Sequence, residues 1–227
     1  MKLALTLGVE PDATSQYDFL RHGYVPFLEQ LGVIPILVPN VIADPCAYVE
    51  AVGAQGLVLS GGGDIDPDRY GQANTASLEI STRRDAVEFQ LLTWAVERAL
   101  PVLAICRGIQ VINVFFGGQL VQDIPGQIGN GVQHDKSQHP VQIVDETLAH
   151  WIGAGCLTVN SHHHQAVTED CRAPVLDVFA LSEPDGVIEG LRHPSLPVLG
   201  VQWHPERPSP SREADLRLFR AFLQGEL

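Results

Sequence analysis

The sequence predicts an α/β fold with a parallel sheet and crossover helices. Short apolar runs bounded by Gly or Pro recur along the chain, and amphipathic helical patterns alternate with them in the N-terminal half. The 227 residues, 45% hydrophobic and 18% charged, suffice for a sizeable core. With no internal repeat, and nothing more linker-like than Arg207-Pro208-Ser209-Pro210, a single domain over 1–227 is expected.

Strands are expected at 3–7, 34–38, 56–59 and 102–105, then at 141–144, 157–160, 176–181, 187–190 and 198–201. Between the third and fourth, residues 84–98 place Val87, Leu91 and Ala95 on one stripe with Leu92, Val96 and Ala99 beside it, which is helical spacing. At the C-terminus Ser211 is placed to cap a helix bearing Leu216, Phe219 and Leu223, flanked by Leu218 and Phe222, and this helix should close the sheet. Gly117-Gly118 and residues 126–131 read as loops, and 71–82 as a mobile surface segment.

Composition narrows the function. Fourteen Lys+Arg against 27 Asp+Glu leave a net charge of −13, and no basic stripe is present, which argues against nucleic acid as a partner. Cys46, Cys106, Cys156 and Cys171 form no C-x-x-C pair and are too few for a disulfide scaffold, so a reducing, cytoplasmic setting is expected. The apolar start ahead of Glu10-Pro11 is too short for a signal peptide, and no stretch reaches bilayer length, so no membrane association is expected.

The chemistry concentrates where the strand at 102–105 runs through Cys106 into a helical pattern carrying Ile109, Ile112 and Phe116. Small residues two before and two after Cys106, Ala104 and Gly108, permit the sharp turn of a nucleophile elbow, and the positive end of the following helix favours thiolate over thiol. A base with an orienting carboxylate is available in Val201-Gln202-Trp203-His204-Pro205-Glu206. The loop Ser60-Gly61-Gly62-Gly63-Asp64 can turn backbone amides toward a ligand, so an amide in Gly62-Gly63 and that of Arg107 are the expected oxyanion donors. A phosphate cradle is disfavoured because the Lys-[Ser/Thr] of a P-loop is missing and Asp64 follows instead. Asn160-Ser161-His162-His163-His164-Gln165 invites a zinc reading, but adjacent side chains diverge in a strand or turn, so a polar substrate-recognition loop is preferred and neither metal nor cofactor is expected. His134, His139, His150 and His193 read as ordinary surface or satisfied histidines.

Together, Ser-Gly-Gly-Gly-Asp-Ile-Asp-Pro at 60–67, Ile-Cys-Arg-Gly-Ile-Gln at 105–110, Val-Asn-Ser-His-His-His-Gln-Ala at 159–166 and Val-Gln-Trp-His-Pro-Glu at 201–206 resemble the class I glutamine amidotransferase superfamily, specifically its γ-glutamyl-γ-aminobutyrate hydrolase family of γ-glutamyl peptidases. The likeness spans nearly the whole chain. It implies a flavodoxin-like, doubly wound, mostly parallel sheet with flanking helices, Cys106 as nucleophile, His204 as base and Glu206 as orienter. It also implies that Gln110 and the loop of Asn160, Ser161, His162 and His163 hold the glutamyl head group. Two departures stand out: Ala104 where the elbow usually has Gly, and His162 where the family commonly has Tyr.

The reaction so implied is hydrolysis of a γ-glutamyl amide of a small amine through a glutamyl-thioester. Removal of glutamate from a nucleotide-linked amidate in surface-sugar modification is an alternative within the resemblance. A glutaminase subunit passing ammonia to a synthase partner is another, and a decayed binding module is disfavoured by the intact Cys106, His204 and Glu206. The expected partner is a small molecule, with room for a homodimer and a synthase only under the amidotransferase alternative.

Overall fold

The computed structural model describes residues 1–11 and 16–227. In chain order its strands are β1 (Lys2–Thr6), β2 (Gly8–Pro11), β3 (Gln16–Phe19), β4 (Ile34–Val38), β5 (Leu57–Leu59), β6 (Val102–Ile105), β7 (Ser137–Ile143), β8 (Cys156–Ser161), β9 (Asp177–Ser182), β10 (Val187–Arg192) and β11 (Val198–Val201). The α-helices are α1 (Tyr24–Gln30), α2 (Pro45–Ala51), α3 (Thr82–Glu97), α4 (Arg107–Phe115), α5 (Ile124–Gln127), α6 (Glu146–Ile152) and α7 (Arg212–Leu223).

Nine strands form one sheet in the order β4-β1-β5-β6-β11-β10-β9-β7-β8, and β2 pairs with β3 alone. From β4 to β11 every pairing is parallel, and from β11 to β8 every pairing is antiparallel. The doubly wound α/β core expected from the sequence is therefore present, extended on one side by antiparallel strands. Both faces of the parallel part are covered: Leu3 and Leu5 of β1 enter one core with Leu103, Ile105, Phe27 and Phe219, while Ala4 enters the other with Val102, Ala104, Ile109 and Leu91. That double burial is why these strands read as unbroken apolar runs.

The chain winds from β1 outward to β4, then returns to place β5 on the other side of β1. Such a reversal opens a crevice at the carboxyl ends of the strands. Thr6, Ser60, Cys106 and Gln202 each stand at the carboxyl end of β1, β5, β6 or β11. Helix α4 descends from this edge unusually close to the sheet. A Cβ at Gly108 would lie 2.6 Å from the Leu59 carbonyl oxygen, and one at Gly200 would lie 2.8 Å from Ile112 Cδ1.

Several expectations need correction. Residues 71–82 are tied down: Gln122 Oε1 accepts from the Thr75 and Ala76 amides, Leu78 N–H donates to Asp64 Oδ2 at 2.7 Å, and Ser77 is buried. Ser211 precedes α7 but donates its hydroxyl to the Thr158 carbonyl instead of capping, and α7 covers a sheet face, with Phe219 edge-on to Phe27. Among the described residues, no helix is long and apolar enough to cross a membrane.

Gly108→Ala should lower the unfolding free energy by about 1–3 kcal/mol through overpacking against Leu59. Gly155→Ala, where a Cβ meets nothing within 4 Å, should change it by less than about 0.5 kcal/mol. Urea denaturation of both variants checks this, and equal effects would contradict the close approach of α4.

Candidate active site

Cys106 ends β6 and caps α4 with φ 54° and ψ −108°, a conformation that costs a non-glycine residue about 1–3 kcal/mol. Its amide donates to the Val201 carbonyl at 2.8 Å, and the elbow aims the sulfur at the crevice, 3.7 Å from Gln202 Nε2. Ala104 keeps an ordinary strand backbone, paired with Leu59 and Gly200, and its methyl is absorbed by the core on the α4 side. The positive φ falls on Cys106 itself, so the glycine usual two residues earlier is not required for the turn.

His204 and Glu206 follow β11. His204 Nδ1 lies 2.7 Å from Glu206 Oε1, both side chains being buried. Among the described residues Nε2 has no hydrogen-bond partner, but the ring and Cys106 both press on Gly61: a Cβ there would sit 3.1 Å from His204 Cε1 and 3.4 Å from Cys106 Cβ. Burial pulls the His204 pKa down, and Cys106 followed by Glu206 outweighs it, lifting the imidazole to about 9. Asn160 clamps the backbone here, accepting from His204 N–H at 2.9 Å and donating to the His204 and Pro208 carbonyls.

The glycine loop is held from below by charges that sequence reasoning missed. Arg84 Nη2 donates to the carbonyls of Ser60, at 2.8 Å, and Gly61, at 3.2 Å. Because a trans peptide points its C=O and N–H in opposite directions, fixing the Gly61 carbonyl on Arg84 turns the Gly62 amide the other way. Gly62 has φ +147° and a Cβ there would lie 2.2 Å from Arg84 Nη1, while one at Gly63 would lie 2.4 Å from the Glu79 carbonyl. Tyr24 OH accepts from Gly61 N–H at 2.8 Å. Among the described residues, the amides of Gly62 and Arg107 have no protein acceptor.

Arg84 belongs to a buried cluster of two cations and two anions. It bonds Glu88, which also accepts from Thr6 and Arg107, and Arg107 reaches Asp85 as well. Burial raises the Glu88 carboxyl, but Arg107 and Arg84 more than reverse that and hold it below its ordinary range. The available signal was Arg84 and Glu88 four residues apart on a helix.

Gln110 is buried and donates to Gln202 Oε1 at 3.2 Å and the Gln165 carbonyl at 3.4 Å, so it is connected to Cys106 through Gln202. Ser161 donates to the His134 carbonyl, leaving His162 as the member of its loop whose ring faces His204, at 5.7 Å between centroids. The three adjacent imidazoles do diverge: His163 turns inward toward Glu189, and His164 binds Asp64 at 3.0 Å. The inward turn corrects the placement of His163 beside the substrate. His134 and His139, read from the sequence as ordinary surface or satisfied histidines, are not on the surface but buried against His163 and Glu189, because β7 pairs antiparallel with β8.

The sequence profile of peptidase C26 matches residues 4–206. The chain belongs to the peptidase C26 family. It is 37% identical to a Mycobacterium tuberculosis protein, over 98% of this chain and 74% of that one, whose name gives it only a provisional place among glutamine amidotransferases. It is 30% identical to the γ-glutamyl-γ-aminobutyrate hydrolase PuuD of Escherichia coli K12, over 90% of this chain and 85% of that one. The fold of this peptidase C26 chain is shared with the glutaminase domain of Trypanosoma brucei CTPS, with a TM-score of 0.64 at 15% identity, over 98% and 94% of the two chains.

The raised His204 pKa has a readable sign. The ring should stay protonated through neutrality and lose its proton as pH rises through about 9. In Cys106→Ala, which removes the larger of the two raising charges, the midpoint of the His204 ring proton followed by NMR should fall. A midpoint unmoved by the substitution would separate the sulfur from the ring.

Proposed function

We propose that this peptidase C26 chain is a cysteine-dependent hydrolase that cleaves the γ-glutamyl amide bond of a small N-substituted amine and releases glutamate. The observation that carries the reading is the convergence at Gly61 of the strained Cys106 and a His204 paired at 2.7 Å with a buried Glu206. The protein acts on a small molecule, without nucleic acid or membrane, and its free thiols suit a reducing compartment such as the cytoplasm.

The Cys106 sulfur attacks the δ-carbonyl carbon, and the carbonyl oxygen takes up the negative charge against the amides of Gly62, Gly63 and Arg107. His204 gives its proton to the departing amine as the C–N bond breaks, leaving a glutamyl-thioester. His204 then removes a proton from water, whose oxygen attacks the thioester carbonyl carbon as the C–S bond breaks, releasing glutamate and returning the Cys106 thiolate beside a protonated His204. Glu206 holds the imidazole in the required tautomer and stabilises its charge. Gln110 and Gln202 order the wall beside the sulfur, and Asn160 and Ser161 set the position of the loop that presents His162.

The charges beside His204 support an anionic leaving group. A narrow cleft beside His204 is lined by Arg21, Arg207, Tyr24, Gly61 and Phe19. With Arg21 and Arg207 both beside His204, an amine that carries an anionic group, as γ-aminobutyrate does, is favoured over ammonia. A nucleotide-linked amidate would meet the same charges, so both anionic leaving groups belong in the assay.

Purified protein should release glutamate from at least one anionic γ-glutamyl amide with kcat/KM about tenfold or more above glutamine, equivalent to about 1.4 kcal/mol of transition-state binding. A glutamine preference that emerges only with a synthase present would instead identify an amidotransferase subunit. Cys106→Ala should abolish release with the fold intact, His204→Asn should be nearly inactive, and Glu206→Gln should lose less. Arg207→Gln should raise KM for the anionic amide more than for a neutral one, and equal changes would remove the cleft from the substrate path.

A further inference from the structure

Outside the catalytic crevice, His134, His139, His163 and Glu189 bring four ligand atoms within 4.8 Å of one another in the interior. His139 lies on β7 with His134 just before it, His163 follows β8, and Glu189 lies on β10. All four are nearly inaccessible, Glu189 at 1% exposure.

The hydrogen bonds around the rim decide the chemistry at the centre. His134 Nε2 meets Asp185 Oδ2 at 2.8 Å, His139 Nδ1 meets the Pro140 carbonyl at 3.2 Å, and His163 Nδ1 meets the Gln165 carbonyl at 2.9 Å. Each outer nitrogen faces an acceptor and so carries the proton, which leaves the inner nitrogen of a neutral ring as a lone pair, met in His134 by the Ser161 hydroxyl at 3.4 Å. These inner nitrogens lie 3.5 Å (His134), 3.4 Å (His139) and 3.7 Å (His163) from Glu189 Oε1, itself an acceptor. Among the described residues, His139 Nε2, His163 Nε2 and both Glu189 oxygens have no hydrogen-bond partner. Lone pairs and one negative charge facing each other in a dry interior are stable only around a positive charge.

We propose that these four residues bind one divalent transition-metal cation of the zinc class. Metal–ligand bonds of about 2.0–2.1 Å in a tetrahedron put neighbouring ligand atoms about 3.3–3.4 Å apart, close to the three spacings around Glu189 Oε1. Three imidazoles and a carboxylate suit zinc rather than calcium or magnesium, which take oxygen ligands. Asp185 behind His134 is the carboxylate–histidine arrangement that orients a ligating ring. Four protein ligands leave no open position, so the cation is structural. It would pin the loop carrying His162, adjacent to His163, and it would brace β10, where the Glu189 carbonyl accepts from Gln202 N–H at 2.8 Å. The competitor for the space is a proton on His139, which burial disfavours and Glu189 favours.

Elemental analysis of the purified, dialysed chain should find about one zinc per chain, or one equivalent should be taken up from added zinc and not from added magnesium or calcium. Cobalt substitution should give the intense visible absorption of a tetrahedral ion, and metal removal should lower Tm. Glu189→Gln and His139→Gln should each lose at least about nine-tenths of the bound metal, while His164→Ala, whose ring binds Asp64, should keep it. Should a ligand variant fail to fold, metal stoichiometry and the cobalt spectrum of the unmodified chain still decide. A folded chain that takes up no zinc and gives no cobalt spectrum would overturn the site in favour of a protonated His139–Glu189 pair. Metal retained in both ligand variants would place it elsewhere. These readouts do not use glutamate release, so they stand or fall independently of the proposed reaction.

Discussion

Arg107 follows Cys106 in the chain, and its guanidinium turns back beneath the glycine loop to meet Glu88 and Asp85. A non-glycine residue at φ 54° persists only where its surroundings over-determine it, and this buried cluster supplies much of the restraint. Glu88 joins α3 to the start of α4 through Arg107 and to the end of β1 through Thr6, while Arg84 carries the same network to the carbonyls of Ser60 and Gly61. Cys106 and the Gly61–Gly62 peptide are thus positioned by one electrically balanced unit. Breaking one partner would strand a buried charge, at a cost of about 3–5 kcal/mol. The orientation of the Gly61–Gly62 peptide is a direct product of that unit, since Arg84 holds the carbonyl and the amide is forced to the other side.

How much of this was legible in the sequence follows from the range of each interaction. The elbow could be read because its demands are local: small residues flanking Cys106, with Gly108 allowing the helix to approach Leu59. The central strands could be read because burial on both faces leaves no polar residue inside them. Helices α1, α2 and α6 have seven residues each, under two turns, and show no periodicity, although Asp44 before Pro45 and Asp145 before α6 are capping signals that were there to be used. The β2–β3 pair was missed because each strand has four residues and Gly8 makes room for the Phe19 ring, a contact across the pair. The His134–His163 contact depends on the pairing of Ser137 with Ser161, a register that no local pattern specifies.

The β8 end shows one short segment serving three environments by backbone geometry alone. The chain leaves β8 after Ser161, and in the loop that follows His163 enters the interior while His162 faces His204 and His164 binds Asp64. Burial holds His163 down at about 4, whereas the hydrogen bond to Asp64 raises His164. Identical residue types therefore differ in charge at one pH because of where the backbone after β8 points each ring.

His162 and His204 extend that logic to the chemistry. Their rings are 5.7 Å apart, and two imidazolium ions at that distance would repel. Burial lowers His162, with Arg207 and His204 adding to it, whereas Cys106 and Glu206 lift His204 above its ordinary value. The pair is thereby divided into a neutral ring and a charged one, the separation expected where one group transfers the proton and the other does not. A neutral imidazole offers one donor and one acceptor, as a tyrosine hydroxyl does, so His162 can replace the Tyr common at this position in the family without bringing a competing cation beside the nucleophile. Arg207 then has two effects in one place: it adds to the burial that lowers His162, and it puts a cation beside the cleft next to His204. With a net charge of −13 the surface as a whole repels anions, but at physiological salt that repulsion is screened within about 8 Å, so the potential in the cleft beside His204 is set by the charges that line it, Arg21 and Arg207 among them.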